Sequence, residues 1–373
     1  MKLSIKPTMN FRTIAILSAI IVTFTFFKCS THKPAFTGTA LKEYKLSENT
    51  PFDREKLDSL TTYLRDYTEA TGMVVLYDGR VVFEYGDTRE VSYIASCRKS
   101  VVSMLYGRYV ADGTIDMNEP IGSIGIDEDD GLLPVEKRAT VRDIITSRSG
   151  VFHSAANGGY DSKNILTRGS VNPGEYFVYN NWDFNVAGAI LEKKTGRSVY
   201  QEIEEQLAKP LGFQDWNIKN QKRKASAKNS RYSAYHMYFS TRDMAKIGQL
   251  MLNEGEWEGK QVIPKSWIKR ITTTVTPVDT VNQRYGRTKK SSVQMSYGYM
   301  WWVIESLGGR QYKNAFSANG FGGQFITVFP EEKMVVAFKN KLGQLVLWGL
   351  KSGGTSDDRY WKVIDKLMTA KKE

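Results

Sequence analysis

Met73-Val-Val-Leu-Tyr-Asp-Gly-Arg-Val-Val-Phe-Glu-Tyr85 holds two β-rich runs about a central Asp78-Gly79. Asp-Gly between such runs signals a hairpin, because tight primed turns need positive φ at their centre. Upstream, Asp53 to Thr68 places Leu57, Leu60 and Leu64 at helical spacing, with Asp53 as a cap. Downstream comes a helix-rich middle. Lys99 to Asp112 is stopped by Gly113, Thr140 to Ser147 is capped by Thr140, and Asp183 to Lys194 is ended by Gly196. Tyr200 to Leu207 and Thr241 to Leu252 add two more helices. Strands return late, at Tyr299 to Ile304, Gln324 to Phe329 and Met334 to Lys339, with Pro330-Glu-Glu-Lys333 turning between the last two. A helix from Asp357 to Ala370 closes the chain. Strands at both ends with helices between predict an α/β fold of the α+β type. Its central antiparallel sheet is formed from both termini and flanked by helices, with an inserted, mostly helical lobe.

Residues 1–28 read as an export signal. Lys2, Lys6 and Arg12 form a positive start, and Thr13 to Phe27 is an apolar run too short for an ordinary membrane span. Residues 29–50 read as a polar tether and 51–373 as the folded domain. The leader, if uncleaved, or a lipid on Cys29 would attach the chain to a membrane, so the expected location is periplasmic or membrane-anchored at the cell envelope.

The 373 residues are 41% hydrophobic and 25% charged, ordinary for a globular chain. The formal charge is +12, and the four leader cations Lys2, Lys6, Arg12 and Lys28 leave about +8 elsewhere. The densest basic run (Lys222, Arg223, Lys224, Lys228) reads as a loop, and no nucleic-acid-binding signature accompanies it, so no nucleic-acid partner is expected. Two cysteines, Cys29 and Cys97, and three histidines, His32, His153 and His236, stand in no zinc-binding spacing. No metal and no other cofactor is called for.

A serine hydroxyl needs a base to become a nucleophile. In Ser-x-x-Lys on a helix, residues i and i+3 share a face, so the amine lies beside the hydroxyl. The lysine must be neutral to accept a proton, which burial favours. The spacing occurs at Ser30/Lys33, Ser96/Lys99 and Ser266/Lys269. Only Ser96/Lys99 opens a long helix behind a β-rich stretch, Glu90-Val-Ser-Tyr-Ile-Ala95. A second element, Tyr179-Asn180-Asn181, offers a phenol for proton relay and an amide to hold the lysine or a substrate carbonyl. A third, Ser317-Ala-Asn-Gly-Phe-Gly-Gly-Gln324, brings bare backbone to a strand, where the Phe321 N–H could pair with that of Ser96 as an oxyanion hole. Each alone also reads as a plain cap, loop or glycine turn.

Together, in this order, they resemble the Ser-x-x-Lys, Tyr-x-Asn and Lys-Thr-Gly motifs of class C β-lactamases, DD-peptidases and their esterase and amidase relatives. The resemblance runs from about Thr71 to Phe338. Thr140-Val-Arg-Asp-Ile-Ile-Thr-Ser-Arg-Ser-Gly150, Lys209-Pro-Leu-Gly212 and Ser240-Thr-Arg-Asp-Met-Ala-Lys-Ile-Gly248 carry it between the motifs. Tyr-Asn-Asn with Gly-Phe-Gly-Gly-Gln looks most like the branch holding 6-aminohexanoate-dimer hydrolase, which cleaves a linear amide. The resemblance implies a β-lactamase/transpeptidase-like fold. It implies Ser96 as the acylated serine, Lys99 as its base and Tyr179 as general acid and base. It also implies Asn181 as the motif asparagine, the Phe321 N–H as oxyanion donor, and Asn319 and Gly320 as further pocket residues.

Ala318-Asn319-Gly320 stands where the family carries Lys-Thr-Gly. The missing lysine helps hold the carboxylate of penicillins or of a terminal D-alanine, and its absence argues against efficient penicillin turnover. Arg98 is one cation that could substitute. His153, after the Ser149-Gly150 turn, is a candidate substrate contact or a surface loop residue. Tyr235 and His236 are candidates for a pocket wall, and Trp182 and Asp183 for the leaving-group side, Asp183 doubling as a helix cap. Cys97 is expected to be a structural thiol, and Trp301 and Trp302 to be core. The expected partner is a small-molecule or short-peptide amide or ester. A DD-peptidase or β-lactamase and a non-catalytic envelope binding or sensor domain are the alternatives.

Overall fold

The computed structural model describes residues 39–43, 51–158, 162–288, 291–347 and 352–372. The stretch read as an export signal, Cys29 and most of the stretch read as a tether lie outside them. Within that stretch, residues 39–43 lie against the folded body. The Thr39 N–H donates to the Gly212 carbonyl (2.9 Å), and Glu43 bridges to Val81.

The first helix, α1 (Arg54–Tyr67), starts as expected at Asp53, whose side chain accepts from the Lys56 N–H. The hairpin follows as β1 (Gly72–Tyr77) and β2 (Arg80–Gly86), with a short β3 (Ser92–Tyr93) behind it. The helical middle is α2 (Cys97–Ala111), α3 (Ile121–Ile124), α4 (Val141–Ile145), α5 (Asn181–Thr195) and α6 (Val199–Ile203). The helix expected over Tyr200 to Leu207 changes pitch at Glu204–Ala208, which is a π-helical turn. Pro210 lies just beyond it and cannot continue the helix.

The basic run is not a loop. It forms a hairpin of β4 (Lys222–Ser226) and β5 (Ser230–His236), followed by β6 (Tyr238–Phe239), which pairs with β3. After α7 (Thr241–Leu252) come a small ribbon, β7 (Glu256–Trp257) and β8 (Lys260–Gln261), then α8 (Lys265–Ile271) and α9 (Val278–Tyr285). The remaining strands are β9 (Val293–Tyr297), β10 (Trp302–Leu307), β11 (Arg310–Gly320), β12 (Gln324–Phe329) and β13 (Met334–Lys339). A short α10 (Gln344–Leu347) and α11 (Asp357–Ala370) follow. Strand β10 begins three residues later than its sequence suggests. Gly298 to Trp301 forms a turn in which Met300 has φ +63°, so the tryptophan pair straddles the strand's first residue.

Seven strands form one antiparallel sheet in the order β2-β1-β13-β12-β11-β10-β9. The central β1, β12 and β13 are apolar without alternation because helices cover both faces. Val74, Leu76, Val335 and Ala337 face one core with α2, α5 and α7. Met73, Val75, Val336 and Phe338 face a second core with α1 and α11. The sheet built from both ends and the helical lobe inserted between them are as expected. Among the described residues, no helix is long and apolar enough to cross a membrane.

Candidate active site

Strand β3 feeds α2 through Ile94 and Ala95. The Ile94 N–H donates to the Met237 carbonyl (3.0 Å), and Ala95 has φ +48°, a left-handed turn that non-glycine residues rarely adopt. Ser96 is the N-cap of α2, with φ −75° and no capping bond from its side chain. A serine at an N-cap ordinarily accepts a backbone N–H. Here the hydroxyl is left for other work. Residues 97–107 are buried, and Ser96 is half-buried, so it is where the N-terminal end of this helix meets solvent.

One turn on, Lys99 is buried, with Nζ 3.9 Å from the centroid of the Tyr179 ring and 4.2 Å from that of Phe184. Tyr179 stacks on Trp302 (5.6 Å between centroids) and meets Phe184 (4.6 Å) and Tyr297 (6.0 Å). These rings hold the phenol at the lysine and exclude water from its flank. Phe184, Tyr297 and Trp302 were not predicted as site residues. Aromatic residues in a strand or helix read as core, and only the fold shows what they surround.

The end of β11 closes the other side. A Cβ on Gly320 would lie 2.7 Å from the Ile94 carbonyl oxygen and 3.1 Å from the Ser96 nitrogen. Only a glycine lets the strand come this near the serine's backbone. Neither the Ser96 nor the Phe321 N–H donates to an acceptor among the described residues. The Phe321 side chain is 61% exposed.

The fold thus brings Ser96, Lys99, Tyr179 and Gly320 together, with Phe321 next in the chain. The contacts of the other predicted site residues lie elsewhere. The Asn181 amide donates to the Gly158 carbonyl (2.6 Å), and its own oxygen is buried without a partner. The Asn319 amide reaches Met295 Sδ at 3.8 Å, because strand alternation turns it away from its neighbours Ala318 and Gly320. His153 is held in an acidic loop, its ring nitrogens against Asp130 Oδ1 (3.0 Å) and the Ser154 carbonyl (2.9 Å).

Arg98 does not replace the missing lysine. At i+2 it points away from Ser96, and it is 1% exposed. Its charge falls instead near the β4–β5 hairpin. Burial, and then Arg98 and Lys224, push the His236 imidazole down to about 4. His236 stacks on Tyr93 (4.4 Å), and Tyr235 is buried against α5 with its hydroxyl donating to Glu192 (3.1 Å). Asp183 is not the cap of α5. Asn180 is, its side chain accepting from the Trp182 N–H. Asp183 is buried and accepts from Ser149 Oγ (2.6 Å), and burial raises its carboxyl well above the usual range. Trp182 is buried and donates through Nε1 to Glu128 (2.7 Å). Cys97 is fully buried, with Sγ directed at the Ala318 and Gln324 carbonyls, and burial pushes its thiol up. It is a structural thiol, as expected.

Known proteins resemble this chain in sequence or in fold. An uncharacterised protein of Alkalihalophilus pseudofirmus is 25% identical over 264 residues, covering 65% of this chain and 71% of that one. A solved structure from Bacillus anthracis, assigned as a 6-aminohexanoate-dimer hydrolase, superposes with a TM-score of 0.65 at 19% identity, covering 90% and 88% of the two chains. A family VIII carboxylesterase superposes with a TM-score of 0.61 at 14% identity, covering 90% and 100%. At such identities the likeness is one of fold. The family model described as beta-lactamase matches residues 60–343, about three quarters of the sequence. With that match and the helix-flanked antiparallel sheet, the chain belongs to the beta-lactamase family of hydrolases.

Proposed function

We propose that this hydrolase cleaves an amide or ester bond through an acyl-enzyme on Ser96. Lys99 takes the hydroxyl proton as Ser96 Oγ attacks the substrate carbonyl. The developing oxyanion is held by the Ser96 and Phe321 N–H groups. Tyr179 delivers a proton to the departing amine or alcohol. It then takes one from the water that attacks the acyl carbonyl, and Lys99 returns its proton to Ser96 Oγ as the serine is released. One observation carries this reading. A buried lysine one turn from a half-buried N-cap serine lies 3.9 Å from the ring centroid of the motif tyrosine.

Two similar structures bear names of amide and ester hydrolases, the bond types proposed here. With Ala318 where the family's lysine would stand, substrates without a carboxylate beside the scissile bond suit the site best. The leader supports export to the cell envelope, which fractionation with an antibody would test.

Intact mass after brief exposure to an activated ester tests the mechanism. We expect an acyl adduct on the wild type and none on Ser96→Ala, with kcat/KM in Ser96→Ala and Lys99→Met lowered by about 10⁴-fold or more. Turnover retained in Ser96→Ala would overturn the proposal. Absence of an adduct on folded wild type would favour a binding domain without turnover. Labelling by a fluorescent penicillin would redirect the substrate assignment to a DD-peptidase.

A further inference from the structure

The short helix α4 ends in a Schellman motif. The Ser147 N–H donates to the Ile144 carbonyl (3.1 Å), and the Arg148 N–H donates to that of Asp143 (2.8 Å). The residue at the turn of such a motif is left-handed and is ordinarily glycine. Here it is Ser147, with φ +58° and no exposure to solvent. For the helix end alone, glycine would serve better. A strained, fully buried serine in its place asks what the hydroxyl does.

The hydroxyl binds the backbone on both sides of Tyr179. Ser147 Oγ donates to the Val178 carbonyl (2.7 Å) and accepts the Asn180 N–H (3.1 Å). The Val178 N–H donates to the Ser147 carbonyl (3.2 Å). Two further bonds tie the same turn to the start of α5. The Asn180 amide donates to the Val151 carbonyl (2.7 Å), and Ser149 Oγ donates to Asp183 (2.6 Å). Tyr179 itself belongs to no helix or strand. Its backbone is fixed from the turn at 147–151, while its ring is packed between Lys99 and Trp302.

We propose that Ser147 is a positioning residue for Tyr179, setting where the phenol meets the leaving group. The inference rests on the role of Tyr179 proposed above. Ser147 touches neither substrate nor the reacting atoms. A hydroxyl that clamps the peptide groups before and after a residue fixes where its Cα–Cβ bond points, and the phenol oxygen lies at the far end of that lever. Small misplacements of a proton donor lower rates steeply.

The test exploits leaving-group chemistry in the full-length protein. p-Nitrophenolate departs without protonation, whereas an alkoxide needs a proton from the acid. For esters of one acyl group, p-nitrophenyl butyrate and ethyl butyrate, kcat/KM reports acylation. In Tyr179→Phe the ratio of the two should rise by about 10²-fold. In Ser147→Gly, which relieves the left-handed strain, and in Ser147→Ala, which removes only the hydroxyl, it should rise by about tenfold. Tyr179→Phe with Ser147→Gly should give the same ratio as Tyr179→Phe alone, because a clamp on an absent hydroxyl has nothing to position. A merely structural serine would lower both substrates in equal proportion, and that result, or no change, in the folded Ser147 variants would overturn the inference. If Tyr179→Phe leaves the ratio unmoved, the role of the tyrosine itself is wrong, and the positioning role falls with it.

Discussion

At Gly320 one hydrogen atom decides whether β11 can lie against the backbone of Ser96. A methyl group there would meet the Ile94 carbonyl oxygen at 2.7 Å and the Ser96 nitrogen at 3.1 Å, both backbone atoms that cannot swing aside. Gly320→Ala should therefore push β11 outward and carry the Phe321 N–H away from Ser96. We expect kcat on an activated ester to fall by about 10²-fold and stability to fall by about 1–3 kcal/mol, read by steady-state kinetics and urea unfolding. Unchanged kcat would show that β11 does not form the oxyanion wall. The sequence singled out Ser96, Lys99 and Tyr179, which the fold brings together, because the proton transfer proposed for them restricts residue type and spacing. For Asn319 a motif string does not say which way the side chain faces, since a strand turns alternate side chains to opposite faces, and the fold sets its amide near Met295. Ser147 was hidden altogether, because a left-handed serine looks like any other serine until its φ is known.

The β4–β5 hairpin shows why a whole element can escape a periodicity reading. Lys222, Arg223, Lys224 and Ala225 are all exposed, so no apolar alternation marks β4 as a strand. Its cations suit an edge, where charge discourages pairing with another chain. One member of the partner strand responds to pH. His236 pairs with Lys222, stacks on Tyr93 and is held neutral by burial and by the cations Arg98 and Lys224, its imidazole lowered to about 4 from 6.5. Between those values the unfolded chain binds the proton and the folded chain does not. Stability is therefore complete above about pH 6.5 and is lost as pH falls toward 4, by up to roughly 3 kcal/mol from this group. In His236→Gln the stability lost between pH 7 and pH 4.5 should be smaller than in the wild type, as urea unfolding at the two pH values will show. An equal loss in both would place the acid sensitivity elsewhere.

The whole molecule depends on its two ends meeting, since β1 and β2 come from the N-terminal side and β9 to β13 from the C-terminal side of one sheet. Strands that are apolar throughout were easy to find and their order was not, because continuous apolar runs pair equally well in many registers. What pins the C-terminal side is a polar chain through the second core. Ser317 of β11 and Thr327 of β12 share a hydrogen bond (2.8 Å), and Thr327 shares another with the Tyr360 hydroxyl of α11 (2.6 Å). Tyr360 also lies flat on Phe325, ring centroids 3.6 Å apart, and is fully buried. The strand that ends at Gly320 is thus braced by the last helix of the chain. Tyr360→Phe should lower stability by about 1–2 kcal/mol by removing one hydroxyl from the chain. Tyr360→Ala should lower it by about 3–5 kcal/mol by adding a cavity beneath the sheet. Both variants should keep wild-type kcat well below their melting temperatures, because the brace sets how long β11 stays folded and not what it does there. If Tyr360→Ala unfolds in urea like the wild type, the second core does not need α11, and the closing of the sheet must be sought in α1 instead.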